Sequence, residues 1–181
     1  MEARRVELDG VAIELVTGDI VRQPGIDAVV NAANAELLPG GGVAGAVHRA
    51  AGPGLAAECR PLAPISPGDA VITGGHDLAN PYVIHCLGPV YGKDRPEDEL
   101  LATCYRRALE LAERHGLRSV AFPAISTGVF GYPMPLAAEV AISAVLSMLE
   151  ELESVRTIRF VLTEDEALRH HDDALRRLAA L

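Results

Sequence analysis

A chain of 181 residues, 49% of them apolar, is long enough for one domain that buries ~70% of its unfolded surface. Aromatics are 4% of the chain and tryptophan is absent, so the core must be aliphatic. A formal net charge of −9, with Lys93 the single lysine, argues against broad nucleic-acid binding but leaves room for a small phosphorylated ligand held by backbone amides. No apolar run approaches the ~20 residues of a membrane span, and none follows Arg4 and Arg5, so a soluble, cytoplasmic, monomeric protein without a membrane partner is expected. Cys59, Cys86 and Cys104 lack metal-ligand spacing and cannot all pair, which predicts reduced, buried thiols and no metal.

Val6–Leu8 and Val11–Val16 read as two strands joined by the Asp9-Gly10 turn. Thr17-Gly18-Asp19-Ile20 closes the second and opens a short turn. Ile26–Val30 has the β-branched run of a buried strand, and Val43–Ala51 has helical periodicity. Gly54–Arg60 is a short helix stopped by Pro61. Ala70–Thr73 and Tyr82–Leu87 are strands, and Glu97–His115 is an amphipathic helix that Gly116 ends. Ser119–Phe122 is a strand, Leu136–Leu149 a helix and Thr157–Leu162 the last strand. Thr163 and Glu166 have the spacing of a capping box for a terminal helix. Helices alternating with strands predict a three-layer α/β/α domain, its mixed and mostly parallel sheet flanked by helices.

Two glycine loops lie downstream of buried strands. The first, after Asn31 and Asn34, is Gly40-Gly41-Gly42-Val43-Ala44-Gly45; the second is Ser126-Thr127-Gly128-Val129-Phe130-Gly131. Glycines let backbone N–H groups approach a phosphate, and a helix N-terminus adds a favourable dipole. Such loops lie at the carboxyl ends of strands, where open α/β sheets bind ligands. Gly40, Gly42 and Gly45 also satisfy G-x-G-x-x-G, but nine residues separate them from their strand and no acidic strand end follows at the required distance, so a dinucleotide fold is not indicated. No G-x-x-x-x-G-K-[ST] occurs.

Gly18-Asp19-Ile20, Val30-Asn31-Ala32-Ala33-Asn34, Gly40-Gly41-Gly42-Val43, His48-Arg49-Ala50-Ala51-Gly52-Pro53 and the run from Ala121 to Pro133 together resemble the macrodomain family. The nearest branch contains bacterial O-acetyl-ADP-ribose deacetylases and mono-ADP-ribosyl hydrolases. The resemblance runs from about Val11 to Asp165, in the family's order. It implies a single macrodomain that binds ADP-ribose or an ADP-ribosylated protein and needs no cofactor. By position, Asp19 would accept a hydrogen bond from the adenine amino group, with Ile20 alongside the ring. Gly41, Gly42, Val43 and Ala44, with Ser126, Thr127, Gly128, Val129 and Phe130, would surround the diphosphate and distal ribose. Asn34 would hold the ribose hydroxyls and act in catalysis, while Asn31 braces the loop.

The residues permit plainer roles as well. Asp19 can cap the turn that follows it, and Asn31 and Asn34 can satisfy local backbone groups. His48 and His85 read as structural, and Ser126 has no His/Asp partner to make it a nucleophile. Ala44 departs from the resemblance. The hydrolytic branch usually has Gly-Gly-Gly-Val-Asp-Gly, with that aspartate positioning or activating water. Two functions therefore follow: a hydrolase using a water held by the ligand phosphate, or a non-catalytic ADP-ribose reader.

Overall fold

The computed structural model describes residues 2–181. Seven strands form one sheet: β1 (Arg4–Leu8), β2 (Val11–Thr17), β3 (Ala28–Ala32), β4 (Ala70–Gly74), β5 (Tyr82–Cys86), β6 (Ser119–Phe122) and β7 (Thr157–Leu162), in the spatial order β1-β2-β7-β6-β3-β5-β4. The five inner strands are parallel and the two edge strands antiparallel. The opening hairpin was legible in Asp9-Gly10. The antiparallel β4 edge carries no comparable local signal.

Strands β3, β5 and β6 are almost wholly buried because helices cover both faces of the sheet there, whereas β2 and β7 carry the paired Glu14 and Arg159. Helices α1 (Gly42–Ala51) and α2 (Pro53–Cys59) pack Val47, Ala51 and Leu55 against Val29, Val83, Ala121 and Val161. Helices α3 (Glu97–Arg114), α4 (Met134–Met148) and α5 (Asp165–Leu178) cover the other face, over Ala28, Val30, Val120, Phe122 and Phe160. The few aromatics concentrate in this second layer, with Phe122 stacked on Phe160 at 5.9 Å and Tyr105 tilted against both. No helix among the described residues is long and apolar enough to cross a membrane.

Three local expectations are corrected. Helix α4 starts at Met134 rather than Leu136, because Pro135 is tolerated in a first turn whose N–H groups need no intrahelical partner. Helix α5 is capped by Glu164, with no side-chain capping bond, so Thr163 and Glu166 form no capping box. Strand β3 begins two residues later than Ile26 and extends through Asn31 to Ala32. Asn31 is therefore a sheet residue and not a brace of the following loop.

Candidate functional site

Strand order and helix placement fix where a ligand can enter. The chain leaves β3 to build α1 on one face of the sheet, and leaves the neighbouring β6 to build α4 on the other. The connections diverge at the carboxyl ends of β3 and β6, which opens a crevice at a topological switch point. The two glycine loops leave these two strand ends, and the Asp19 turn leaves β2, two strands away.

The first loop needs glycine for close approach. A Cβ at Gly45 would run into the carbonyl oxygen of Gly40 and lie 3.0 Å from an Arg49 guanidinium nitrogen. Glycine there lets the loop lie flat on the first turn of α1. Gly41 caps α1 without any side-chain capping bond, so the amides of Gly42, Val43 and Ala44 form an open helix N-terminus. In the second loop the amides of Thr127, Gly128, Val129 and Phe130 donate to no acceptor among the described residues. Tyr132 N–H bonds the Ser126 carbonyl at 2.9 Å and Gly131 N–H bonds Gly128 at 3.0 Å, fixing the turn. Unpaired amides at neighbouring strand ends suit an anion with several acceptor oxygens.

The expected hydroxyls divide. Thr127 Oγ1 donates to the Ala124 carbonyl at 2.7 Å, so it braces its own turn and leaves only its amide for a ligand. Ser126 has a left-handed φ of 66°, and its Oγ is buried without a partner. Strain of this kind collects at ligand clamps. With no His or Asp bonded to it, that hydroxyl is not an activated nucleophile. Gly88 was not singled out from the sequence. A Cβ there would collide with Ser126 Oγ and lie 2.6 Å from Ile125 Cγ2, so the chain beyond β5 is pressed against the second loop. A lone glycine past a strand could have flagged it, but its partner lies far along the chain.

Asp19 does cap its turn: Oδ1 accepts the Val21 N–H at 3.1 Å. Oδ2 has only Arg22 at 3.8 Å, in a pair whose side chains are 84% and 51% exposed, so it remains open to an exocyclic amine. Ile20 is buried in the α1/α2 layer. Gln23, another residue the sequence did not mark, donates to the Asp19 carbonyl at 2.8 Å and accepts from Arg159 at 2.9 Å, which anchors this turn to β7.

Asn34 spans its own loop. Nδ2 donates to the Leu38 carbonyl at 2.8 Å and Oδ1 accepts the Leu38 N–H at 3.0 Å. One further donor and one lone pair remain for a ribose. Gly40 sits between Asn34 and Ala44; a Cβ on it would lie 3.2 Å from Asn34 Nδ2 and 4.0 Å from the Ala44 methyl. Ala44 is 5% exposed. Val129 is fully exposed and Phe130 half-buried at the outer edge of the second loop.

Beneath the site, Asn31 Nδ2 meets His85 Nδ1 at 3.0 Å, and His85 Nε2 meets Thr73 Oγ1 at 2.9 Å. Burial, and then the neighbouring His48, push the His85 pKa down to about 3. Burial also lowers that of His48, whose ring nitrogens have no partner. Both imidazoles are neutral at pH 7. The three thiols are free and buried, and burial raises the pKa of each. No cluster of three or more His, Cys, Asp or Glu able to hold a metal occurs among the described residues.

An α/β/α sandwich with glycine loops at its switch point is an architecture suited to phosphorylated ligands. The Macro domain model matches residues 30–141. A macro domain-containing protein of Methanosarcina mazei is 46% identical over 178 residues, covering 98% of this chain and 95% of its own. An O-acetyl-ADP-ribose deacetylase of Klebsiella pneumoniae is 47% identical over 158 residues, covering 84% and 90%. A variant of the Oceanobacillus iheyensis macrodomain solved with ADPR superposes with a TM-score of 0.94 at 34% identity, covering 99% of this chain and 100% of that one. The chain belongs to the macrodomain family.

Proposed function

We propose that this macrodomain binds ADP-ribose across the β3/β6 crevice and hydrolyses mono-ADP-ribosylated acidic side chains, O-acetyl-ADP-ribose, or both. The observation that carries this is the pairing of unpartnered amides: Gly42–Ala44 at the start of α1 and Thr127–Phe130 across the neighbouring strand end. These seat the diphosphate. Asp19 Oδ2 takes the adenine amine, and the free valences of Asn34 orient the distal ribose. The ADPR-bound neighbour and the deacetylase relative support the ligand and the reaction class.

Ala44 leaves no carboxylate in the first turn of α1 to act as base. The attacking water is then held by a ligand phosphate oxygen, with Asn34 setting the ribose against it. The same residue favours a second function, a reader that binds without turnover, since losing a general base costs ~10²–10⁴-fold in rate. A turnover count separates them. Limiting protein is mixed with excess glutamate- or aspartate-linked mono-ADP-ribosylated substrate, or with O-acetyl-ADP-ribose, and free ADP-ribose is followed. Release of many equivalents per protein is expected. Saturable binding with at most one equivalent released from either substrate overturns the hydrolase in favour of the reader.

A further inference from the structure

Beside the Asn34 loop, outside both glycine loops, lies a second concavity. It is a groove of about 170 Å³ walled by Glu36, Leu37, Leu38, Ala56, Arg60 and Ala63. Cavities of ~150 Å³ accept a benzene ring, so this one is sized for a single branched or aromatic side chain. Leu38, one of its walls, is 56% exposed. Arg60 is exposed and makes no ion pair among the described residues, a local cation on an acidic chain.

The groove is built as one piece with the candidate site. Leu38 forms one wall and is held at both its N–H and its carbonyl by Asn34. Leu37 is buried in a left-handed conformation, φ 54°, with its N–H on the Asn34 carbonyl at 3.1 Å. The far wall is tied back by Ile65 N–H to the Ala35 carbonyl at 2.9 Å. An ADP-ribose seated as proposed ends at Asn34, and whatever carries that ribose continues past this loop.

We propose that the groove is a subsite for the polypeptide that carries the ADP-ribose. It takes an apolar side chain next to the modified residue, with Arg60 facing an acidic neighbour. This rests on the proposed function, with the distal ribose at Asn34. It makes the protein selective for ADP-ribosylated acidic segments that also contain an apolar residue.

The test is calorimetric, with the full-length protein and three probes. These are free ADP-ribose, an acidic peptide carrying ADP-ribose through a hydrolysis-resistant amide beside a leucine, and the same peptide with serine in place of leucine. The leucine peptide is expected to bind about tenfold tighter than free ADP-ribose, the gain from burying most of one side chain. Ala56→Trp, which fills the groove, is expected to remove that gain and leave free ADP-ribose unchanged. Arg60→Glu, on an exposed side chain without an ion pair among the described residues, is expected to weaken both peptides alone. Equal affinity for peptides and free ADP-ribose overturns the subsite, as does a gain that survives both variants. Failure to bind free ADP-ribose at all overturns the underlying function and the subsite with it.

Discussion

Replacing Gly45 with alanine tests whether the first loop works by close approach to helix α1. The added methyl would collide with the Gly40 carbonyl oxygen, part of the backbone and unable to rotate away. Loop and helix must separate by roughly 1 Å to restore ordinary contact. A donor moved that far from a hydrogen bond of ~2.9 Å no longer makes it. Each hydrogen bond to a charged acceptor contributes ~1.5–3 kcal/mol, so losing one amide contact weakens ADP-ribose binding about 10- to 100-fold. Stability should suffer less. Overpacking costs ~1–3 kcal/mol, and the better helix propensity of alanine returns ~1 kcal/mol. A net loss up to ~2 kcal/mol lowers Tm by at most ~8 °C in a domain of this size. Titration calorimetry and thermal melts on Gly45→Ala, beside Ala50→Gly in the same helix, would separate the two effects. Ala50→Gly should lose ~1 kcal/mol of stability and keep its affinity. Wild-type affinity in Gly45→Ala would refute the role given to the loop.

Asn34→Ala should lower kcat/KM by about 10²-fold while weakening ADP-ribose binding less, because orientation of the ribose matters most in the transition state; steady-state kinetics beside calorimetry read the split, and equal losses would make Asn34 a binding residue only. Ala44→Asp should change kcat by less than about tenfold if a phosphate-held water suffices; a gain nearer 10²-fold would show that the missing carboxylate limits the natural protein. Stability should fall as pH drops below 6.5. Burial holds the folded pKa of His85 at about 3 and of His171 at about 4, so below 6.5 the unfolded chain takes up protons that the folded chain refuses. Each histidine then removes about 1.4 kcal/mol per pH unit, until pH reaches its folded pKa. Urea melts between pH 7 and 4 should show the slope and His171→Gln should flatten it; an unchanged slope would remove His171 from the account.

The sequence exposed the architecture where local signals were strong. Asp9-Gly10 marked the hairpin, Gly116 ended α3, and the β-branched runs marked the buried strands. It failed where the deciding partner is distant. The antiparallel β4 edge depends on pairing with β5, and the necessity of Gly88 depends on Ser126. The Thr163/Glu166 spacing suggested a cap that α5 does not use, because the helix begins one residue past Glu164. At the site, residue types were legible but their hydrogen bonds were not. Asn34 and Thr127 were readable as polar groups beside a glycine loop, yet only the folded turns show them bonded to Leu38 and Ala124. Asp19 combines both readings, capping its turn with one oxygen and leaving the other open.

The most direct test of a main-chain diphosphate cradle is a 15N-resolved NMR titration with ADP-ribose. The amide resonances of Gly42, Val43, Ala44 and Thr127–Phe130 should shift together and saturate at one equivalent, while those of β1 and α5 stay in place. Saturable binding that leaves these amides unmoved, or no binding at all, would contradict the cradle.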